Sequence, residues 1–265
     1  MENTEEWQRS KNNMWKVTLH KKKKITNPIL LEGLPGIANV GKIVVDYMIE
    51  QYSADRILSL FSHNLPNSVF VNEDNLVELP RIEIFHKKIG NQDFLFLAGD
   101  VQPVSEESSY SFSEKIIDIV EKMGCKEIIT LGGIGLSEIP EKPNVYCTGN
   151  DTKIIKKFIS KGAKGDIYGM VGPIIGVSGL LVGLSQEKGI KSAALLAETY
   201  GHPMYLGLKG AKASLQILNK AYGYKISFKD INKEIKSVDR ENGNEEQKSQ
   251  SLKRLKKMKE MTYLG

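Results

Sequence analysis

Cysteine is nearly absent from this 265-residue chain. Cys125 and Cys147 are too few to staple a small fold, so a reducing, cytoplasmic setting is the expectation. Histidine is as sparse. His20, His63, His86 and His202 form no pair at helical spacing and there is no cysteine pair, so no metal site is expected. The opening MENTEEWQRS lacks the basic start and apolar stretch of a secretion signal. Long apolar runs are missing too. The longest uncharged stretch, 167–186, carries five glycines and Pro173, and reads as a strand, a turn and a buried glycine-rich helix, not a membrane span.

What is present suits one globular body with a short appendage: 40% of residues are hydrophobic and 26% charged. The net charge of +5 lies at the two ends. Residues 11–24 hold six lysines and no acid, and residues 251–265 hold five basic residues against Glu260. The body between them, 25–250, is slightly acidic at −3. A nucleic-acid face gathers its cations on the folded surface, so this distribution argues against nucleic acid, and Lys21 to Lys24 read as a solvated approach to a first strand.

Pattern and punctuation give alternating strands and helices. Pro28–Glu32 is a short buried strand, Gly33–Gly41 a glycine-rich turn, and Lys42–Tyr52 a helix. Val69–Val71, Leu76–Ile89 and Phe94–Ala98 read as antiparallel additions, the last two joined by a Gly90-Asn91 hairpin. Ser111 with Glu114 predicts a capping box before a helix that stops at Gly124. Strands are expected at 127–131, 146–148, 166–171 and 192–197, and helices at 152–161, 172–188 and 206–222. Gly132–Gly135 is read as an exit loop. Gly172, Gly176, Gly179 and Gly183 recur at helical spacing, which points to close packing of that helix, since glycine weakens a helix by about 1 kcal/mol relative to alanine. The expected fold is a three-layer α/β/α domain with a largely parallel sheet over residues 1–228. Residues 229–265 form a charged helical arm, with Leu252, Leu255, Met258 and Met261 as a thin apolar stripe.

The most suggestive motif is Gly36-Ile-Ala-Asn-Val-Gly41-Lys42, with phosphate-loop spacing between a strand and a helix. Ile43 stands where a magnesium-binding Ser or Thr is needed, and Pro35 removes a loop N–H. The segment is therefore read as a tight strand-to-helix turn in which the glycines satisfy geometry, with Lys42 as an exposed first-turn residue. Glu198 ends a buried strand at a sheet mouth, either as a ligand-facing carboxylate or as a cap on backbone N–H groups. An enzyme or nucleotide-binding protein would use loop 33–42 with loop 198–203.

Leu31-Glu-Gly-Leu-Pro-Gly-Ile-Ala-Asn-Val-Gly-Lys42, the Gly172–Gly183 segment and Leu195-Leu-Ala-Glu-Thr-Tyr-Gly-His-Pro203 together resemble the proteasome assembly chaperone family, in its archaeal-type members. The similarity covers roughly residues 26–222. It implies a fold akin to purine nucleoside phosphorylases, no catalysis, no cofactor, oligomeric assembly, and binding to α-subunits of the proteasome core particle. Some members end in a hydrophobic residue, a tyrosine and one final residue, a tail that enters pockets between α-subunits. Here Tyr263 is third from the end, in Met261-Thr-Tyr-Leu-Gly265. The resemblance thus implies partner-binding residues Met261, Tyr263, Leu264 and Gly265, supported by Lys253, Arg254, Lys256 and Lys257. The expected protein is a non-enzymatic chaperone or adaptor, homo-oligomeric and cytoplasmic, with no nucleic-acid or membrane partner.

Overall fold

Strands that are apolar on both faces need a covering layer on each side, and the central strands of this chain are of that kind. The computed structural model describes residues 14–169 and 171–241. Its strands are β1 (Lys16–Leu19), β2 (Ile29–Glu32), β3 (Asp55–Phe61), β4 (Phe70–Val71), β5 (Val77–Glu78), β6 (Ile82–Ile89), β7 (Gln92–Gly99), β8 (Glu127–Leu136), β9 (Val145–Gly149) and β10 (Lys191–Tyr200). Eight of them form one sheet in the order β1-β3-β6-β7-β2-β8-β10-β9, and β4 and β5 make a separate ribbon. The four central strands, β7-β2-β8-β10, pair in parallel. With β3, five of the eight strands run one way, and β1, β6 and β9 run against them.

The helices are α1 (Val40–Tyr52), α2 (Glu106–Lys122), α3 (Thr152–Ile159), α4 (Val177–Leu184), α5 (Leu208–Tyr222) and α6 (Lys229–Glu241). Alternation along the strands sets which core each side chain joins. Ile29, Leu31, Phe94, Phe96, Ile129, Leu131 and Leu195 face a core covered by α1, α3, α5 and α6. Leu30, Leu95, Leu97 and Ile128 face the other core, covered by α2 and α4 with Trp15 and Ile84. The three-layer α/β/α expectation is met, with a parallel centre and antiparallel flanks. No helix among the described residues is long and apolar enough to cross a membrane.

Several local expectations are corrected. The capping residue of α2 is Ser105, whose Oγ accepts from the Ser108 N–H at 3.2 Å, and Ser111 lies inside the helix. The Gly132–Gly135 exit loop is strand: β8 continues through it, paired with Leu196–Thr199. Residues 166–171 form no named strand, because Gly165, Gly169 and Gly172 with Pro173 break the run, and only an isolated bridge joins Tyr168 to Val171. The helix expected over 172–188 is confined to α4 and a following 3₁₀ turn. Gly176 is its N-cap at φ 85°, a left-handed conformation that suits glycine. Of the glycine stripe, only Gly179 lies inside a close approach: a Cβ there would stand 2.1 Å from the Ile174 carbonyl oxygen, whereas Gly172 and Gly183 have open space. The Leu76–Ile89 stretch splits into β5 and β6 around Pro80, and β7 lies inside the sheet beside β2.

Candidate functional site

The carboxyl ends of β2, β7, β8 and β10 open on one rim of the sheet, where ligands bind in open α/β folds. The glycine-rich turn after β2 occupies its middle. Gly33 and Gly41 are packed backbone to backbone. A Cβ on Gly33 would meet the Gly41 carbonyl oxygen at 2.1 Å, and one on Gly41 would meet that of Leu131 at 2.1 Å. Gly36 is different. Its backbone is extended and its nearest obstacle lies 4.0 Å away. The left-handed positions of the turn are Ala38 and Asn39, at φ 50° and 53°.

This turn is a poor phosphate cradle. The Gly33 N–H donates to the Leu97 carbonyl at 3.0 Å, the Leu34 N–H to Glu32 Oε1 at 2.9 Å, and the Asn39 N–H to the Gly36 carbonyl at 3.0 Å. Lys42 is buried and paired with Asp46 at 2.8 Å, contrary to its expected exposure. Loops 33–42 and 198–203 come together as packing over Gly133, where a Cβ would meet the Ile37 carbonyl oxygen at 2.7 Å and Thr199 Cγ2 at 3.0 Å.

Two carboxylates flank the turn. Glu32 is fully buried, and burial pushes its carboxyl up to about 7 against hydrogen bonds from the Leu34 N–H, Ser178 Oγ (2.9 Å) and the Leu131 backbone. It ties the turn to the first residues of α4. Gln102 adds a second tie across this region, its Nε2 donating to the Pro35 carbonyl at 2.7 Å. Glu198 belongs to β10 and accepts from the Asn144 N–H (2.8 Å), the Asn144 side-chain amide (3.0 and 2.9 Å) and Tyr146 OH (3.1 Å). Burial works to raise its carboxyl, but the donors of Asn144 and Tyr146 prevail and hold it below the usual carboxylate range. Of the two roles open to Glu198, these partners match the cap: it fastens the 137–144 loop. His202 stacks on Tyr200 at 5.6 Å and accepts from the Met204 N–H at 3.2 Å. Among the described residues no group of three or more His, Cys, Asp or Glu side chains converges as a metal would require.

The unusual chemistry of this rim is its apolar exposure. Ile37, on the 3₁₀ turn after β2, and Val104, Ile139, Tyr168, Ile175 and Met204, on loops, are exposed; Val104, Ile175 and Tyr168 are the extremes at 78%, 85% and 102%. Exposed apolar side chains on the segments at one end of the sheet suit a protein contact better than a polar ligand. Sequence reasoning missed these residues, taking 172–188 as a buried helix. The signal was available in Pro103-Val104 and Pro173-Ile-Ile-Gly176, where apolar residues sit among loop formers.

Residues 30–243 match the family model described as the PAC2 family. The chain belongs to the PAC2 family. It is 27% identical over 215 residues to an uncharacterized protein of Methanocaldococcus jannaschii, covering 81% of each chain. Among solved structures it is similar to Pyrococcus furiosus PbaB, described as an archaeal proteasome activator, with a TM-score of 0.79 and 27% identity over 88% of this chain and all of that one. It also shares the fold of P. furiosus PbaA, described as an archaeal homolog of proteasome-assembly chaperone, with a TM-score of 0.75 and 23% identity over 94% and 99% of the two chains. The resemblance carried by the three motif blocks is thus borne out. In this PAC2 protein those blocks build the packed turn 33–41, the α4 segment and the end of β10. The tail residues Lys253, Arg254, Lys256, Lys257, Met261, Tyr263, Leu264 and Gly265 lie outside the described residues.

Proposed function

We propose that this protein is a non-enzymatic chaperone or adaptor that binds α-subunits of the proteasome core particle through its α/β body and its C-terminal tail, and that it acts as a cytoplasmic homo-oligomer. The observation that carries the reading is the likeness, over 88% of this chain, to PbaB, a protein described as a proteasome activator. The rim supports it: loop tips carry apolar side chains, while the turn's polar groups and Glu198 are engaged in packing and caps. Archaeal-type relatives and the absence of a ligand-ready phosphate turn favour a protein partner over a nucleotide.

The tail has a defined task in this reading. Burying one tyrosine removes on the order of 150–250 Å² from water, worth at most ~4–6 kcal/mol at 25 cal/mol per Å². Ordering each tail residue opposes this by about 1–2 kcal/mol, so one tail binds weakly and several tails on one oligomer bind well. Deleting residues 261–265, or Tyr263→Ala, is expected to reduce co-purification with α-subunits greatly while melting temperature and oligomeric state stay as in the parent. A fall in melting temperature instead would mean that Met261 and Tyr263 complete the arm's own packing, and the tail-docking reading would be abandoned.

A further inference from the structure

A cleft of about 450 Å³ lies between α1, the antiparallel strands β6 and β7, and the β4–β5 ribbon, and reaches the carboxyl end of β7 at Gly99 and Asp100. Ile49, Phe70, Leu79, Phe85 and Ala98 line it with apolar surface, and Asp46, Glu50, Glu78, Glu83 and Asp100 supply five carboxylates. Three of these carboxylates are ion-paired, Asp46 with Lys42 at 2.8 Å, Glu78 with Arg81, and Glu83 with Arg56 at 2.7 Å, so Glu50 and Asp100 carry the excess. The excess negative charge continues past the cleft. Glu50 is close enough to Glu234 of α6 that, after burial, it helps to raise the Glu234 carboxyl, and Asp230 adds to this. An acidic path therefore runs from the cleft to the helix that leads into the C-terminal segment.

We propose that this cleft is the resting seat of the chain's own basic C-terminal segment, residues 251–261. Charge selects it: 251–261 carries Lys253, Arg254, Lys256, Lys257 and Lys259 against Glu260, whereas the first ten residues carry three glutamates and one arginine and are repelled. Shape agrees, because Leu252, Leu255 and Met258 give the basic segment an apolar side for Phe70, Leu79 and Phe85. Reach is ample. Nine residues separate Glu241 from Ser251, about 30 Å of extended chain, while all of α1 spans about 20 Å. α6 itself departs from the side of α1, where Tyr47 OH donates to the Ser227 carbonyl at 2.5 Å. The consequence rests on the proposed function: a tail stored on an acidic surface is withheld until a partner surface competes for it.

The test needs no proteasome subunit, so its failure is separate from failure of the co-purification test. Leu79→Cys with Met258→Cys places one thiol at the cleft and one on the tail. Leu79 is 57% exposed, so the substitution leaves the core intact. The native Cys125 and Cys147 are buried, and burial pushes both thiols up to about 12, which keeps them silent. Under mild oxidation the cleft pair is expected to form an intramolecular disulfide at least about tenfold faster than a control pair, Ile139→Cys with Met258→Cys, with tenfold corresponding to about 1.4 kcal/mol. Glu50→Lys with Glu78→Lys, or salt at about 0.5 M, should bring the cleft rate down to the control. Equal rates for the two pairs, indifference to charge reversal, or disulfides only between chains would overturn the proposal. Unchanged melting curves identify the variants that are fit for comparison.

Discussion

Glu32 shows what one residue can cost a fold. A carboxyl held at about 7, against an unfolded value near 4.5, binds its proton more tightly in the native state. Stability therefore falls as pH rises from about 4.5 to 7 and then levels off, by an amount on the order of 3 kcal/mol. Glu32→Gln can keep the geometry, since its amide oxygen accepts from the Leu34 N–H and its NH₂ donates to a rotated Ser178 hydroxyl. We expect the variant to match the parent near pH 5 and to melt at a higher temperature at pH 8, read from paired thermal melts. A constant offset across that range would show that the carboxyl does not titrate in the fold. Gly41 and Gly36, alike in the sequence motif, separate here. Gly41→Val must push against the Leu131 carbonyl and should cost about 1–3 kcal/mol or more, whereas Gly36→Val meets open space and should cost less than about 1 kcal/mol. Denaturant midpoints distinguish them. No rule of spacing could have ranked these two glycines, because the obstacle at Gly41 belongs to β8, ninety residues away in the chain.

At the scale of elements, legibility followed the locality of the signal. The strand–turn–helix at 28–52 and the hairpin at Gly90-Asn91 are set by neighbours within a few residues and match their sequence reading; the start of α3 is equally local, with the Asp151 carboxylate accepting from the Lys153 and Ile154 N–H groups. Where tertiary pairing overrides propensity, the reading failed. Gly132 and Gly133 continue β8 because β10 supplies the ladder, with Leu196 crowding Gly132 and Ile37 and Val40 crowding Gly133. The α2 start was obscured by a run of serines, in which Ser105 and Ser111 both offer caps and only the structure decides. β1 and β3, at the sheet's far edge, were missed: β1 is only four residues long and mostly exposed, and β3 breaks its alternation at Ile57-Leu58, beside the register shift in its pairing with β6. The glycine stripe of α4 yields a paired expectation. Gly179→Ala should lower stability because its methyl would enter the Ile174 carbonyl, and Gly183→Ala, in open space near the last turn, should be neutral or stabilising by up to about 1 kcal/mol. Equal effects in calorimetry would mean that the 174–179 contact yields freely.

For the whole molecule, the sequence places basic ends on a slightly acidic body. The apolar rim was hidden, because hydrophobic residues in loops read as core until a structure exposes them. Val104 and Ile175 contribute almost nothing to the monomer's packing at 78% and 85% exposure, so charging them leaves the fold intact, within about 0.5 kcal/mol. A protein contact is another matter. An apolar side chain buried at an interface is worth roughly 1.5–3 kcal/mol, and a buried unpaired carboxylate costs further desolvation. Val104→Glu with Ile175→Glu is therefore expected to weaken co-purification with proteasome α-subunits by at least about 100-fold at unchanged melting temperature. Light scattering on the same variant separates the body's two proposed contacts. Loss of partner binding with the parent mass assigns the rim to the α-subunit, whereas a fall to monomer mass assigns it to the chain's own assembly. Full binding at the parent mass would show that the rim serves neither contact, leaving the tail alone to hold the partner.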